Sequence, residues 1–266
     1  MRLLVVADLH YSLPQFDWLT SVASDFDVVI IAGDHLDLSS SVDASAQIVV
    51  VGKYLARLRA KTRLIICSGN HDLDSRTGDG EKIARWVRSV PDVVRDGQSV
   101  TIGGVLFSVC AWWDGPAERA AIAEQFQRDA AGEKEAWIWV YHAPPSQSPT
   151  SWGGSRSYGD VELTKWIEEY QPDIIFAGHV HQAPFVKEGS WVDRVGRTWI
   201  FNAGHQYGAP PAHLIVDTEA AEALWFSAAG REYVKLDRPL VRPVERLTAP
   251  PSWLTSEDRQ SVPDPA

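Results

Sequence analysis

The sequence predicts an α/β protein made of two mixed β-sheets stacked face to face with helices outside, a four-layer αββα sandwich. Two observations point there. The first half alternates short apolar runs with helical periodicity, the order of a parallel sheet, whereas the runs after Trp191 are short and closely spaced, as in antiparallel hairpins. In addition, five of the apolar runs stop in residues able to bind metal, and open α/β sheets place their ligands beyond the carboxyl ends of strands.

The elements follow in order. Residues 2–7 (RLLVVA) read as a buried strand ending at Asp8-Leu9-His10, and 15–24 carry Phe16, Leu19, Val22 and Ala23 at helical spacing. Residues 27–32 (DVVIIA) form a second strand ending at Gly33-Asp34. Ser41 or Asp43 caps a helix through about Leu58, with Ile48, Val51, Leu55 and Leu58 on one face. Strand 63–67 (RLIIC) leads to Gly69-Asn70-His71-Asp72, and 80–90 read as helix. Gly103-Gly104 joins a hairpin of 98–102 and 105–110, followed by a helix over 116–130. Strand 136–141 (AWIWVY) delivers His142, and a Pro-, Ser- and Gly-rich loop runs from 143 to 159. A helix then spans 160–170, and strand 173–177 delivers Gly178-His179-Val180-His181. In extended chain, side chains at i and i+2 share a side, so both imidazoles of that last pair face one site. Five short strands follow, at 190–195, 198–202, 212–217, 223–227 and 232–236. One domain over 1–236 is expected, then a proline-rich tail over 237–266 that either lies on the surface or is disordered.

Composition narrows the function. The chain has 266 residues, 45% of them hydrophobic, and a net charge of −10. Such an acidic chain does not wrap a long polyanion, so long nucleic acid is not an expected partner; a small phosphate ester, met locally by metal, remains open. No window reaches the apolar length of a membrane span. Residues 1–7 are too short for a signal peptide and run straight into Asp8 and His10, the first candidate ligands, so the chain is read as mature and cytoplasmic. Cys67 and Cys110 lack paired spacing and are expected to be buried free thiols. A homo-oligomer is left open.

Asp8, His10, Asp34, Asn70, His142, His179 and His181 thus converge on one rim as a dinuclear centre. Carboxylate, imidazole and amide oxygen without thiolate suit manganese, iron, zinc or a mixed pair. Two divalent ions exceed the charge of Asp8 and Asp34, and the surplus favours phosphate and acidifies bound water. Each motif alone has a bland reading as a strand exit or a turn. The ordered series carries the argument.

The series D-x-H, GD, GNHD, H, GH-x-H, over residues 8–181, resembles the calcineurin-like metallophosphoesterase superfamily. By that resemblance Asp8, His10 and His181 hold one metal, Asn70, His142 and His179 hold the other, and Asp34 bridges them. His71 is implied as general acid, or as a donor to the phosphate, with Asp37 orienting it. The implied reaction is in-line attack of metal-bridging hydroxide on a small phosphodiester. The pattern is similar to the branch containing bacterial cyclic-nucleotide phosphodiesterases. A phosphomonoesterase (a nucleotidase or protein phosphatase) is the alternative, although Leu38 and Ser39 follow Asp37 and Asp72 replaces glutamate, unlike protein phosphatases. Superfamily pyrophosphatases of lipid precursors usually carry arginine where His71 stands. A non-catalytic scaffold of the same fold is the alternative of another class; such members generally lose ligands.

Other residues have weaker claims. Asp72 is expected to cap the following helix or brace its loop rather than touch substrate, and His35, which could approach the site, is expected to make a local surface contact. His205 stands where the family carries serine and is a candidate to line the pocket. Arg156, in the loop Trp152-Gly153-Gly154-Ser155-Arg156, either clamps a phosphate or sits solvated. His213 is read as structural. Trp112 and Trp113 differ from the core tryptophans because they follow a strand in a loop.

Overall fold

The computed structural model describes residues 1–255. Strands β1 (Arg2–Val6), β2 (Val28–Ala32) and β3 (Arg63–Cys67) lie parallel and adjacent, with Leu4 opposite Val29 and Ile30 opposite Ile65. Their crossovers are helices α1 (Leu13–Val22) and α2 (Ala44–Arg59). The strands are apolar on both faces because both are covered. Leu3, Val5 and Ala7 face the second sheet, while Leu4 and Val6 pack with Phe16, Leu19, Val51 and Leu55 of the helices. Alternation with period two therefore splits one pentapeptide between two cores.

Between β3 and the second sheet the expected helix over 80–90 is cut short. Residues Ser75–Arg76 (β4) and Lys82–Ile83 (β5) pair as a small hairpin, leaving helix only over Arg85–Ser89 (α3). The reason is local bonding: Asp74 accepts from the Trp86 backbone, and the Glu81 carboxylate accepts from the Ala117 and Glu118 amides. Glu81 thus caps α4 (Pro116–Ala130) instead of extending a helix of its own.

Strands β6 (Gln98–Ile102) and β7 (Val105–Val109) form the glycine hairpin, and β8 (Ala136–Val140) follows α4. Helix α5 (Val161–Tyr170) is capped by Asp160, whose Oδ1 accepts from Glu162 N at 2.7 Å. It leads into β9 (Ile174–Ala177), and β10 (Val192–Val195) and β11 (Thr198–Asn202) complete a second sheet of order β10-β11-β9-β8-β7-β6. Helices α4 and α5 cover its outer face, where Phe126 stacks on Trp139 with ring centroids 3.7 Å apart.

Strands β12 (His213–Asp217), β13 (Glu222–Ser227) and β14 (Gly230–Lys235) return to the first sheet, β12 antiparallel to β1. The chain beyond 236 continues this packing as far as it is described. β15 (Glu245–Arg246) pairs with β14, and Trp253 in α6 (Ser252–Thr255) donates to Glu222 at 2.6 Å. Leu240 and Val244 pack against the core between the sheets. The rest of the expected tail, 256–266, lies outside the described residues. Cys67 and Cys110 are buried and free, as expected. No helix among the described residues is long and apolar enough to cross a membrane.

Candidate metal centre

The carboxyl ends of β1, β2 and β3 meet those of β8 and β9, and the five motifs arrive there on sharp exits. Asp8, His10, Asp34 and His179 all have positive φ, between 43° and 66°. Left-handed backbone is uncommon for residues with side chains and persists where surrounding bonds over-determine it. Asp8 and His10 donate from their amides to the Gly33 and Asp34 carbonyls, and His179 N donates to the Asp8 carboxylate at 3.0 Å. The i, i+2 spacing of His179 and His181 therefore acts through a loop after β9 and not along an extended strand. Glycine makes the approach possible: a Cβ at Gly69 would lie 2.2 Å from Asp34 Oδ1, and one at Gly178 2.6 Å from Asp8 Oδ2.

Three donor clusters result among the described residues, and two of them share Asp34. Asp8, His10, Asp34 and His181 bring ligand atoms within 4.8 Å of one another, and so do Asp34, His142 and His179. Asp34 belongs to both. In the first cluster, His10 Nε2 and His181 Nε2 face each other at 2.9 Å, with His181 Nε2 3.3 Å from Asp8 Oδ1. In the second, His142 Nε2 stands 3.1 Å from Asp34 Oδ2, and Asn70 Oδ1 is 2.8 Å from His179 Nδ1.

The arrangement fits divalent metal on its own geometry. His142 is fully buried, and its Nδ1–H donates to the Ala32 carbonyl at 2.7 Å. That bond fixes the tautomer and leaves a buried Nε2 without a hydrogen-bond partner, directed at two carboxylates. A lone pair aimed at carboxylates is unfavourable unless a cation lies between, and a backbone-anchored imidazole is the usual form of a metal ligand. Where no metal lies between them, a proton plays that part. Burial pulls His142 down, but Asp34 and Asp8 outweigh it and raise its pKa to about 9. Burial and the neighbouring His142 charge push His179 down to about 4. For Asp34 burial pushes upward, yet His142 and His71 hold it well below the carboxylate range.

His71 sits beside the first cluster, its ring centroid 4.6 Å from that of His10. Its Nδ1 accepts from the Leu38 amide at 3.3 Å, so in the neutral ring the proton is on Nε2. Asp37, expected to orient this ring, instead accepts from Ser39 N and Oγ at 2.8 and 2.6 Å. Its carboxylate still approaches His10 and His71 to within 4.8 Å. The contact that sets the His71 ring comes from the next residue's backbone.

His205 lines the centre: its Nδ1–H donates to the Asp8 carbonyl at 2.7 Å and its ring lies 5.0 Å from that of His181. Arg156 does not join it. Its guanidinium lies over Tyr158 at 4.5 Å, on an exposed loop. His213 is buried, bonded to the Pro211 carbonyl and stacked on Phe226, a structural residue as expected.

Sequence reasoning misplaced His35. It is fully buried rather than at the surface, and its Nδ1–H donates to Asp72 Oδ2 at 3.0 Å. Asp72 also accepts from the amides of Gly69, His35 and Leu36, tying the loop of Asp34 to the loop of Asn70. Also missed was Asp96, whose carboxylate holds Ser68 N and Oγ while Ser68 Oγ accepts from Trp112 N. Burial raises Asp96 to about 7. The chain sets Trp112 with its ring 5.0 Å from that of His179 and 5.7 Å from that of His142. No sequence pattern around Asp96 marks this role.

Comparison with known proteins agrees with the geometry. The structure of TT1561 from Thermus thermophilus shares 13% identity at a TM-score of 0.56, covering 88% of this chain and 98% of that one. Purple acid phosphatase PPD1 from yellow lupin (Lupinus luteus) seeds shares 15% identity at a TM-score of 0.56, over 92% of this chain and 53% of that one. At such identities these likenesses speak for the fold alone. No curated protein sequence matches. The sequence profile named calcineurin-like phosphoesterase matches residues 1–183. This chain belongs to the calcineurin-like phosphoesterase family.

Proposed function

We propose that this chain is a metal-dependent phosphoesterase acting on a small phosphodiester. One observation carries the reading: two donor clusters share Asp34, the arrangement that holds two ions side by side. Manganese, iron or zinc suit the donors, and such a pair supplies Lewis acidity toward the phosphoryl oxygens and an activated nucleophile at neutral pH. Asp8, His10 and His181 would hold one ion, Asn70, His142 and His179 the other. His71 presents Nε2–H to the phosphoryl or leaving oxygen as a hydrogen-bond donor, its ring set by Leu38 N. Cyclic nucleotides are within the proposed substrate class.

We favour a singly charged diester over a doubly charged monoester. The ion pairs of Asp8 and Asp34 are all with histidines, and among the described residues no Lys or Arg pairs with either. A guanidinium fork is the usual further partner of a phosphate dianion. Free buried cysteines support a reducing, cytoplasmic setting.

The test is hydrolysis of matched chromogenic diesters and monoesters by metal-stripped protein, with manganese, iron and zinc restored singly. Diester turnover that requires metal and collapses in Asn70→Ala and His71→Ala is expected. Monoester turnover alone would replace the substrate class, and a folded protein inert with every metal would overturn the enzymatic reading in favour of a scaffold.

A further inference from the structure

Beside the metal centre, beyond Trp112, opens a cavity of about 400 Å³ that the phosphoesterase reading leaves unused. It lies at the rim where the loops after β7 and β8 meet the start of α5. Its walls are aromatic: Trp112, Trp113, Tyr141 and Tyr158, with Arg119 and Glu162 at the edge. Two of the walls, Trp113 and Tyr141, are held in place by polar bonds. Asp160 Oδ2 accepts from Trp113 Nε1 at 2.9 Å and from the Tyr141 hydroxyl at 2.6 Å, while Oδ1 caps α5. The Arg119 guanidinium already lies over the Trp113 ring, 5.7 Å from its centroid. Trp112 belongs to both places, one wall of the cavity and a ring in contact with His179 and His142.

We propose that this cavity is a substrate subsite that stacks a planar aromatic group, of nucleobase or aryl type, carried by the ester whose phosphate sits at the metal centre. This rests on the phosphoesterase reading and adds what the reaction centre lacks, a means of choosing the alcohol. The clusters at the metals recognise phosphorus oxygens, which every phosphate ester shares. Trp113, fixed at its indole N–H by Asp160, offers a stacking face at little ordering cost. Arg119 adds a cationic donor to the lining, suited to the polar rim of a heteroaromatic ring. Glu162 is already held by Lys165 at 2.8 Å, and Arg119, only 4.0 Å from Glu162, keeps its donors free.

The experiment uses the full metal-loaded chain and three diesters matched at phosphorus, differing only in the alcohol: adenosine, nitrophenyl or a short alkyl. Stacking predicts a KM at least about tenfold lower for the aromatic esters than for the alkyl ester. In Val161→Trp, which fills the cavity from an exposed position, and in Tyr158→Ala, that ratio is expected to fall towards one. Calorimetry on the same protein with adenosine monophosphate and ribose phosphate gives a readout independent of turnover, expected to favour the nucleotide by a similar factor. A lower KM for the adenosine ester than for the nitrophenyl ester assigns the subsite to a nucleobase; equality assigns it to any aryl ring. Turnover with equal KM for all three esters overturns the subsite and leaves the phosphoesterase reading standing. No turnover of any ester overturns that reading, and the calorimetric preference then decides the cavity alone.

Discussion

Asp72→Asn isolates what holds the two ligand loops together. The Asp72 carboxylate is completely buried and serves four donors: Leu36 N at 3.1 Å and His35 N at 3.0 Å on Oδ1, Gly69 N at 2.9 Å and His35 Nδ1 at 3.0 Å on Oδ2. An amide fits the same space but places its NH2 on one side of this set. With the amide oxygen kept on Leu36 and His35, the nitrogen faces the Gly69 N–H, while His35 can answer by changing tautomer. Two charge-assisted bonds are weakened and one buried N–H is orphaned, together about 3 kcal/mol of stability. Urea unfolding should show a lower midpoint at unchanged slope. Because the bonds tie Gly33-Asp34-His35 to Gly69-Asn70, metal affinity should fall about tenfold or more in the same variant. A loss below about 1 kcal/mol with native metal affinity would refute the claim that this carboxylate organises the centre.

Two further predictions follow from the site's charge and its close contacts. In the metal-free protein His142 has its pKa raised from 6.5 to about 9, so its stabilising contribution is complete below 6.5 and is lost as pH rises through 9. Metal needs the bare Nε2 and releases that proton, so metal-induced stabilisation should grow over the same interval in which the metal-free protein weakens. Thermal unfolding of stripped and loaded protein across that range checks this, and parallel pH profiles would contradict it. Gly69→Ala should lower metal affinity about tenfold or more, since its Cβ would lie 2.2 Å from Asp34 Oδ1 and 2.6 Å from Asp34 N. Gly52→Ala, in the interior of α2 with open space around it, should instead stabilise by about 0.5–1 kcal/mol without touching metal binding. Equal behaviour of the two alanines in metal titrations would remove the steric argument.

What was legible in the sequence is what periodicity and residue type encode locally. Val28–Ala32 and Ile174–Ala177 announce buried strands by apolar content alone, and Asp34 and His179 announce themselves by following those strands. The illegible parts depend on contacts between segments far apart in the chain. His35 looks like a surface residue until Asp72, 37 positions later, is folded against it. The helix expected over 80–90 fails because Glu81 bonds to the start of α4, which no local propensity records. Arg156 has the chemistry of a phosphate clamp, but Tyr158, two residues on, offers its guanidinium a nearer partner. Leu38 supplies the contact to His71 through its backbone, where side-chain identity carries no signal.

The same long-range bonds explain how the site tolerates its own backbone. Four ligands are in left-handed conformations, each costing of order 1 kcal/mol or more. The carboxylates that would bind metal also offset that cost. Asp8 accepts the His179 amide, and Asp34 Oδ1 accepts the His71 amide at 2.8 Å. Gly178 N donates to the His142 carbonyl at 2.8 Å, joining the exits of β8 and β9. Each ligand loop is thus pinned by an atom of another ligand loop, and the donor set is assembled by the fold before metal arrives. Asp8 and Asp34 consequently have two separable duties. Substitution by asparagine at either should replace a charged metal ligand by a weaker neutral one and keep an amide oxygen for the loop bond, whereas alanine removes both. The difference in unfolding free energy between Asp8→Ala and Asp8→Asn, measured without metal, is expected to be about 1–3 kcal/mol. Identical stabilities would mean that the left-handed turns are held by their backbones alone.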